Sequence, residues 1–162
     1  MNPLSVDRIN AHAPYSVTLT SKGYFLFNTD QDVTYAISFT EEFEIGGCMG
    51  YQFSIRNANN HHGSFDKKIR ETIVGILEEF FRTNINVLLY ICDTSDRREA
   101  ARNRLFIHWF KQFADPSTYT FCSSEAIVEG EGFYTAMIVE NRNPSLQAIK
   151  EEYELMVREM SK

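Results

Sequence analysis

The sequence is poor in cysteine and contains no long apolar run. Its three cysteines, Cys48, Cys92 and Cys122, are odd in number and far apart, so they predict reduced thiols and neither a disulfide framework nor a metal site. The N-terminal stretch has no apolar signal core, and no run approaches the length that spans a membrane. We therefore expect a cytoplasmic protein with no membrane partner and no bound metal.

Positive charge is scarce as well. Sixteen Lys and Arg residues stand against 22 Asp and Glu, which gives a net charge of −6. Nucleic-acid binding requires a basic face that neutralises phosphates, so a nucleic-acid partner is not expected. Aromatic residues, in contrast, make up 14% of the chain, and their large apolar area is either buried or offered to a partner. The composition leaves open a protein partner, a small-molecule partner and a homodimer.

The hydrophobic pattern predicts one α+β domain over residues 1–162, with an irregular N-terminal segment at residues 1–14. In the first third of the chain, apolar and polar residues alternate, which is typical of strands in an antiparallel meander. The predicted strands lie at residues 15–20, 24–27, 33–39 and 51–56. Gly46 and Gly47 are expected to separate the last two strands.

The period of the apolar residues changes after residue 63 and predicts a long amphipathic helix, with Ser64 as its N-cap. The apolar face of this helix consists of Ile69, Ile73, Ile76, Leu77 and Phe80. The elements predicted after it are a buried strand at 87–92, a second helix that ends before Asp115, a hairpin of 119–128 and 133–139, and a C-terminal helix after Asn143. The predicted fold is therefore a meander followed by α-β-α-β-β-α, with helices packed on a mixed sheet.

The order of elements from about Tyr24 to Val139 resembles the core of the GCN5-related N-acyltransferase superfamily. In that family the acyl-CoA lies between the fourth and fifth strands, and a glycine-rich turn at the start of the long helix holds its pyrophosphate, because a helix N-terminus favours an anion. The resemblance implies a cofactor, acetyl-CoA or another acyl-CoA, bound by the helix start. The implied cofactor-binding residues are Gly63, Ser64, Phe65 and Asp66.

The sequence departs from the family pattern at three points. The turn before the long helix contains one glycine where the family has two or more. Ser21, Lys22 and Gly23 leave no room for the two helices that follow the first strand in the family, and the second core helix offers no Tyr as a general acid. These departures favour a non-enzymatic binding or regulatory domain, with an acyl-CoA-dependent N-acyltransferase as the alternative. No catalytic residue is identified. The sequence also resembles an uncharacterised bacterial domain family of unknown function.

A second candidate site follows the predicted buried strand. Ligands of open α/β sheets bind at the carboxyl ends of strands, and two carboxylates, a hydroxyl and two guanidinium groups at such an end suit a phosphate or a proton transfer. The residues are Asp93, Ser95, Asp96, Arg97 and Arg98. The alternative is that the acidic residues and the serine only cap the next helix while the arginines are solvated.

Overall fold

The computed structural model describes residues 1–93 and 97–160, which contain four helices and seven strands. In chain order these are α1 (Val6–His12), β1 (Thr18–Leu19), β2 (Phe25–Asn28), β3 (Thr34–Ile45), β4 (Cys48–Asn57), α2 (Lys67–Thr83), β5 (Val87–Asp93), α3 (Arg97–Phe113), β6 (Tyr119–Val128), β7 (Glu131–Glu140) and α4 (Leu146–Met160). The strands form a sheet in the order β1-β2-β3-β4-β5-β7-β6. The strands β4 and β5 are parallel, whereas β5 pairs with β7 and β7 with β6 in antiparallel fashion. The predicted α+β class and the mixed sheet are confirmed.

The chain divides into two compact units. Unit 1 consists of Met1–Thr40 and Phe53–Asn84, and unit 2 consists of Glu41–Gln52 and Ile85–Lys162. The long strands β3 and β4 contribute to both units, so the division does not follow element boundaries. The prediction that the whole chain is one domain stays a prediction. No helix among the described residues is long and apolar enough to cross a membrane.

The core of unit 1 lies beneath the apolar face of α2. All five residues that define the predicted face, from Ile69 to Phe80, are buried. The ring of Phe80 stacks on Phe39 of β3 at a centroid distance of 4.9 Å and meets Phe81 edge to face at 5.1 Å. The periodicity of the sequence therefore predicted this packing surface correctly.

The sequence predicted an irregular N-terminal segment. In the structure, Val6–His12 of this segment forms the helix α1. The Ser5 side chain accepts a hydrogen bond from the Arg8 amide, and Ile9 is buried. The Arg8 guanidinium lies 2.6 Å from the Glu79 carboxylate of α2. A helix of seven residues is too short to be stable by itself, so it depends on partners about 70 residues away that the local pattern does not reveal.

Unit 2 packs α4 onto one face of its strands. The buried side chains of this cluster are Ile45, Val87, Leu89, Met137, Val139, Ile149 and Tyr153. The opposite face carries α3, where Tyr90 of β5 contacts Phe110 at a ring distance of 5.1 Å. The turn between β3 and β4 also lies against α4, since a Cβ added to Gly46 would overlap the backbone of Ile149.

Two hairpin turns have the left-handed backbone that a type I′ turn requires at both central residues. In the β3–β4 turn, Gly46 and Gly47 have φ of +58° and +84°. In the β6–β7 turn, Glu129 and Gly130 have φ of 53° and 82°. The second turn is shorter than predicted because Glu131 and Gly132 pair with β6 instead of forming the connection.

Candidate functional site

The start of α2, the cofactor site implied by the sequence, is capped by a carboxylate of the chain itself. The helix begins at Lys67, and its N-cap is Asp66 and not the predicted Ser64. Asp66 Oδ1 accepts a hydrogen bond from the Ile69 amide at 2.7 Å, and Oδ2 accepts one from the Tyr15 hydroxyl at 2.9 Å. The Asp66 carboxylate thus takes the position beside the first helical amides that a bound phosphate would use.

Gly63 and Ser64 are held by the β2–β3 turn. The Ser64 amide donates to Gln31 Oε1 at 2.8 Å, and Gln31 Nε2 donates to Ser64 Oγ at 3.2 Å. A Cβ added to Gly63 would lie 2.9 Å from Val33 Cγ2 and would overlap the Gln31 side chain. Close packing accounts for this glycine. Phe65 stacks on Tyr35 at 5.9 Å, so all four predicted residues have structural contacts within unit 1.

The polar loop before α2 is bound to the same turn. His61 Nδ1 lies 2.7 Å from the Asp32 carbonyl oxygen and 3.3 Å from Asp32 Oδ2, and Asn59 Nδ2 donates to the Asp32 carbonyl at 2.8 Å. Asp32 has a φ of 59°, a conformation that Asp tolerates better than most residues. These contacts fix the loop.

Within residues 1–93 and 97–160, no group of three His, Cys, Asp or Glu is placed to hold a metal ion.

The second predicted site lies mainly outside the part of the chain that the structure describes. Asp93 is the last residue of β5, and Arg97 and Arg98 open α3. Ser95, Asp96 and the side chains of the other three residues fall outside the described residues. The predicted site at this strand end therefore stays a prediction.

A groove in unit 2, between β6 and α4, was not predicted from the sequence. Its volume is about 430 Å³, and its lining residues are Cys122, Ser123, Ser124, Tyr153, Glu154, Val157 and Arg158. The Tyr153 hydroxyl lies 3.0 Å from Thr135 Oγ1 and donates to the Thr135 carbonyl at 3.3 Å, which holds this wall of the groove. We call this feature the β6–α4 groove.

The thiol of the groove is not activated. Burial raises the pKa of the Cys122 thiol, with Lys150 acting in the opposite sense and Glu154 raising the pKa further. A raised pKa keeps the thiol protonated near neutral pH, and the protonated thiol is a poor nucleophile. Burial also raises the pKa of Tyr153, although its hydrogen bond with Thr135 opposes the shift. Both shifts keep these two groups in their protonated forms near neutral pH.

The strand that borders the groove is the last in the sheet order, so it pairs with β7 on one side and with no further strand of the described chain on the other. The Asn141 amide donates to the Thr118 carbonyl at 2.9 Å, one step beyond the Tyr119↔Glu140 pair. Because antiparallel strands alternate their hydrogen-bonded pairs, even-numbered residues of β6 bond to β7 and odd-numbered ones point their backbone groups outward. The Tyr119 amide fits this alternation, since it donates to the Asp115 carbonyl.

Four outward positions remain along this edge: Phe121, Ser123, Glu125 and Ile127. We call them the β6 edge. The side chain of Ile127 is 75% exposed, the largest value among the large apolar side chains that the structure describes. A strand edge of this length offers a row of backbone donors and acceptors to another chain. The sequence contained one signal, the consecutive polar residues Ser123, Ser124 and Glu125 in the middle of the strand, but strand order decides that β6 is an edge.

A family of unknown function, DUF6169, matches residues 65–155. Because the match covers more than half of the chain, the chain belongs to this family. No curated protein and no solved structure matches the chain significantly. The prediction of a family of unknown function is confirmed, whereas a bacterial origin and a relationship to the GCN5-related N-acyltransferases stay predictions.

Proposed function

We propose that this member of the DUF6169 family is a non-enzymatic binding domain that takes up an extended polypeptide strand at the β6 edge, beside the β6–α4 groove. The observation that carries the proposal is the row of outward backbone groups at Phe121, Ser123, Glu125 and Ile127, next to a groove of about 430 Å³. Peptides that add a strand to a sheet edge gain affinity from main-chain hydrogen bonds and specificity from pockets for alternate side chains.

The groove supplies the second requirement. Side chains of an added strand that point toward α4 would meet Glu154 and Arg158, both of which are exposed and line the groove. A carboxylate and a guanidinium four residues apart on one helix lie on the same side of it. They favour a partner that brings charges of both signs to the groove.

Selection of peptides from a displayed random library tests the proposal. The bait is the full chain, and the comparison variants are Ser123→Pro and Ser123→Thr. Because the Ser123 amide points away from β7, proline removes an edge donor without removing a backbone hydrogen bond between β6 and β7, and circular dichroism checks that the variant folds. Selected peptides should bind the wild type and Ser123→Thr equally and Ser123→Pro roughly tenfold more weakly, since one lost hydrogen bond and a distorted edge cost about 1.4 kcal/mol. Equal binding of selected peptides to all three proteins contradicts the proposal, as does failure to select any peptide with a chain that is also monomeric.

An acyl-CoA-dependent N-acyltransferase is the second candidate. The parallel pairing of β4 with β5, from Gly50↔Val87 to Gln52↔Leu89, and their connection through α2 favour it. The carboxylate of Asp66 at the start of α2 opposes it, because a pyrophosphate bound there would meet a like charge. Thermal-shift and calorimetric titration with acetyl-CoA separate the two candidates. A ligand at a hundred times its dissociation constant stabilises the fold by about 2.7 kcal/mol. A titration that gives neither a thermal shift nor heat would contradict the acyltransferase.

A further inference from the structure

The outward residues of β6 are arranged symmetrically. Phe121, Ser123, Glu125 and Ile127 lie at equal distances on either side of Ser124 along the strand. Two copies of one strand can pair antiparallel about a two-fold axis, because such an interface is self-complementary. An axis at Ser124 places each of the four outward residues opposite an outward residue of the second copy. Every backbone donor and acceptor of the edge between Phe121 and Ile127 then has a partner.

The side chains agree with this register. Phe121 comes to lie opposite Ile127 of the second copy, which covers the exposed isoleucine with an aromatic ring, and Ser123 lies opposite Glu125. An axis moved by one residue, to Glu125, places two Glu125 carboxylates directly opposite each other, which is destabilising. The axis at Ser124 avoids this repulsion and pairs apolar with apolar residues.

The charges of α4 indicate what kind of strand fits. Glu154 and Arg158 line the groove beside Ser124, so a two-fold axis at this level brings the two α4 helices side by side and antiparallel. Glu154 of each copy then faces Arg158 of the other. An unrelated peptide has no such helix, whereas a second copy supplies the complementary charge twice.

We propose that the strand taken up at the β6 edge is β6 of a second copy of this chain, in a two-fold symmetric dimer with Ser124 at the axis and a sheet that continues through both copies. This proposal rests on the proposed function of the β6 edge and names its partner.

Sedimentation equilibrium of the full chain over a range of concentrations tests the dimer. Ile127→Glu removes an apolar contact at both ends of the interface, whereas Ile85→Glu makes the same change at an exposed isoleucine of unit 2 outside any strand, 50% exposed. The dissociation constant should rise at least roughly tenfold for Ile127→Glu and stay unchanged for Ile85→Glu. A wild-type chain that stays monomeric at all concentrations, or equal behaviour of the two variants, overturns the proposal.

Charge reversal tests the neighbouring helices. Glu154→Arg and Arg158→Glu should each weaken the dimer roughly fivefold, since two exposed pairs become repulsive. The double variant exchanges the signs and should restore the wild-type dissociation constant. Single variants without effect, or a double variant that is weaker than either single one, overturn the arrangement of the two α4 helices.

Cross-linking tests the register. In the proposed dimer the two Ser124 residues form a non-hydrogen-bonded pair, whose Cα atoms are about 4.5 Å apart, within the range that a disulfide spans. Ser124→Cys combined with Cys122→Ala should therefore give a disulfide-linked dimer on mild oxidation, and Thr120→Cys combined with Cys122→Ala should not. If the first variant cross-links only while Cys122 is present, the axis lies at Ser123 and the proposed register is wrong. No cross-link in either background overturns self-pairing.

The two proposals fail separately. If the chain is monomeric but selected peptides still bind the wild type more tightly than Ser123→Pro, the β6 edge binds strands and the second copy is the wrong partner. If the chain forms a dimer that Ser123→Pro leaves intact, the dimer uses another surface and this inference falls. Loss of both peptide binding and dimer formation overturns the function of the β6 edge itself.

Discussion

The two units of the chain treat their polar groups differently. In unit 1 the strand at the end of the sheet, β1, has two residues, whereas in unit 2 the strand at the other end, β6, has ten. Short edge strands are one of the ways in which proteins avoid unwanted pairing. Unit 1 therefore offers little backbone to a partner, and unit 2 offers a long row of donors and acceptors.

The polar side chains of the two units differ in the same way as their edge strands. In unit 1 the buried Glu79 carboxylate is satisfied by Arg8 at 2.6 Å, Arg82 at 3.3 Å and the Ser5 amide at 3.1 Å, and the start of α2 is capped by Asp66. In unit 2 the exposed charges Glu154 and Arg158 line an open groove. The difference indicates that unit 1 uses its polar groups for its own stability and that unit 2 presents some of them to a partner. Substitutions in the two units test this contrast.

The largest effect is expected from the aromatic core of unit 1. Phe80 is 0% exposed and stacks on Phe39, so Phe80→Ala leaves a cavity and should lower the free energy of unfolding by about 3–5 kcal/mol. Urea denaturation followed by circular dichroism measures the change. The control Ile85→Ala, at a half-exposed position of unit 2, should stay within about 0.5 kcal/mol. A loss below about 1 kcal/mol for Phe80→Ala would show that the core of unit 1 is not packed as described.

Two glycines should respond to alanine with opposite signs. Gly46 of unit 2 has a φ of +58° and lies against the backbone of Ile149, so Gly46→Ala should cost about 2 kcal/mol or more. Gly75 of unit 1 lies within α2, and the position that an added Cβ would take is open space, so Gly75→Ala should stabilise the chain by about 0.5–1 kcal/mol. Thermal and urea denaturation of both variants check the signs, and equal signs would argue against the described contact of the β3–β4 turn with α4.

The capping residue of α2 should have a moderate effect. Asp66→Ala removes the bonds to the Ile69 amide and the Tyr15 hydroxyl and should cost about 1–2 kcal/mol of unfolding free energy. Ser64→Ala is the matched control, because Ser64 Oγ accepts an exposed hydrogen bond from Gln31 Nε2, and its cost should be below about 0.5 kcal/mol. If Ser64→Ala proves the more destabilising of the two, the cap predicted from the sequence is the correct one.

The buried carboxylate of unit 1 should make stability depend on pH. Burial alone would raise the pKa of Glu79, but the hydrogen bonds from Arg8 and Ser5 and the charges of Arg8 and Arg82 outweigh it and lower the pKa. A carboxylate whose pKa is lower in the folded chain than in the unfolded chain stabilises the fold at pH values above the unfolded-state pKa, about 4.3 for Glu. This stabilisation is lost as the pH falls toward the folded-state pKa. The stability difference between the wild type and Glu79→Gln, measured by urea denaturation, should therefore shrink as the pH falls below about 4.3. A difference that does not change with pH would contradict this role of Glu79.

The helix cap shows where prediction from sequence fails. Both Ser64 and Asp66 are good capping residues, and the pattern of apolar residues is equally compatible with either start. The choice depends on Tyr15 and Gln31, which lie 51 and 33 residues away and hold Asp66 and Ser64 respectively. Likewise, α1 could not be predicted because Glu79, its main polar partner, lies in another helix.

The sequence by itself determined the type and order of almost every element, since alternation and helical spacing reflect which side of an element is buried. It also determined the apolar face of α2, from Ile69 to Phe80, and the glycine turn at Gly46 and Gly47. Only the tertiary structure decided that β6 lies at the edge of the sheet and that α4 borders it with a groove. The reason is physical: strand order and helix placement arise from contacts between distant segments, and a binding surface consists of the groups that those contacts leave unsatisfied.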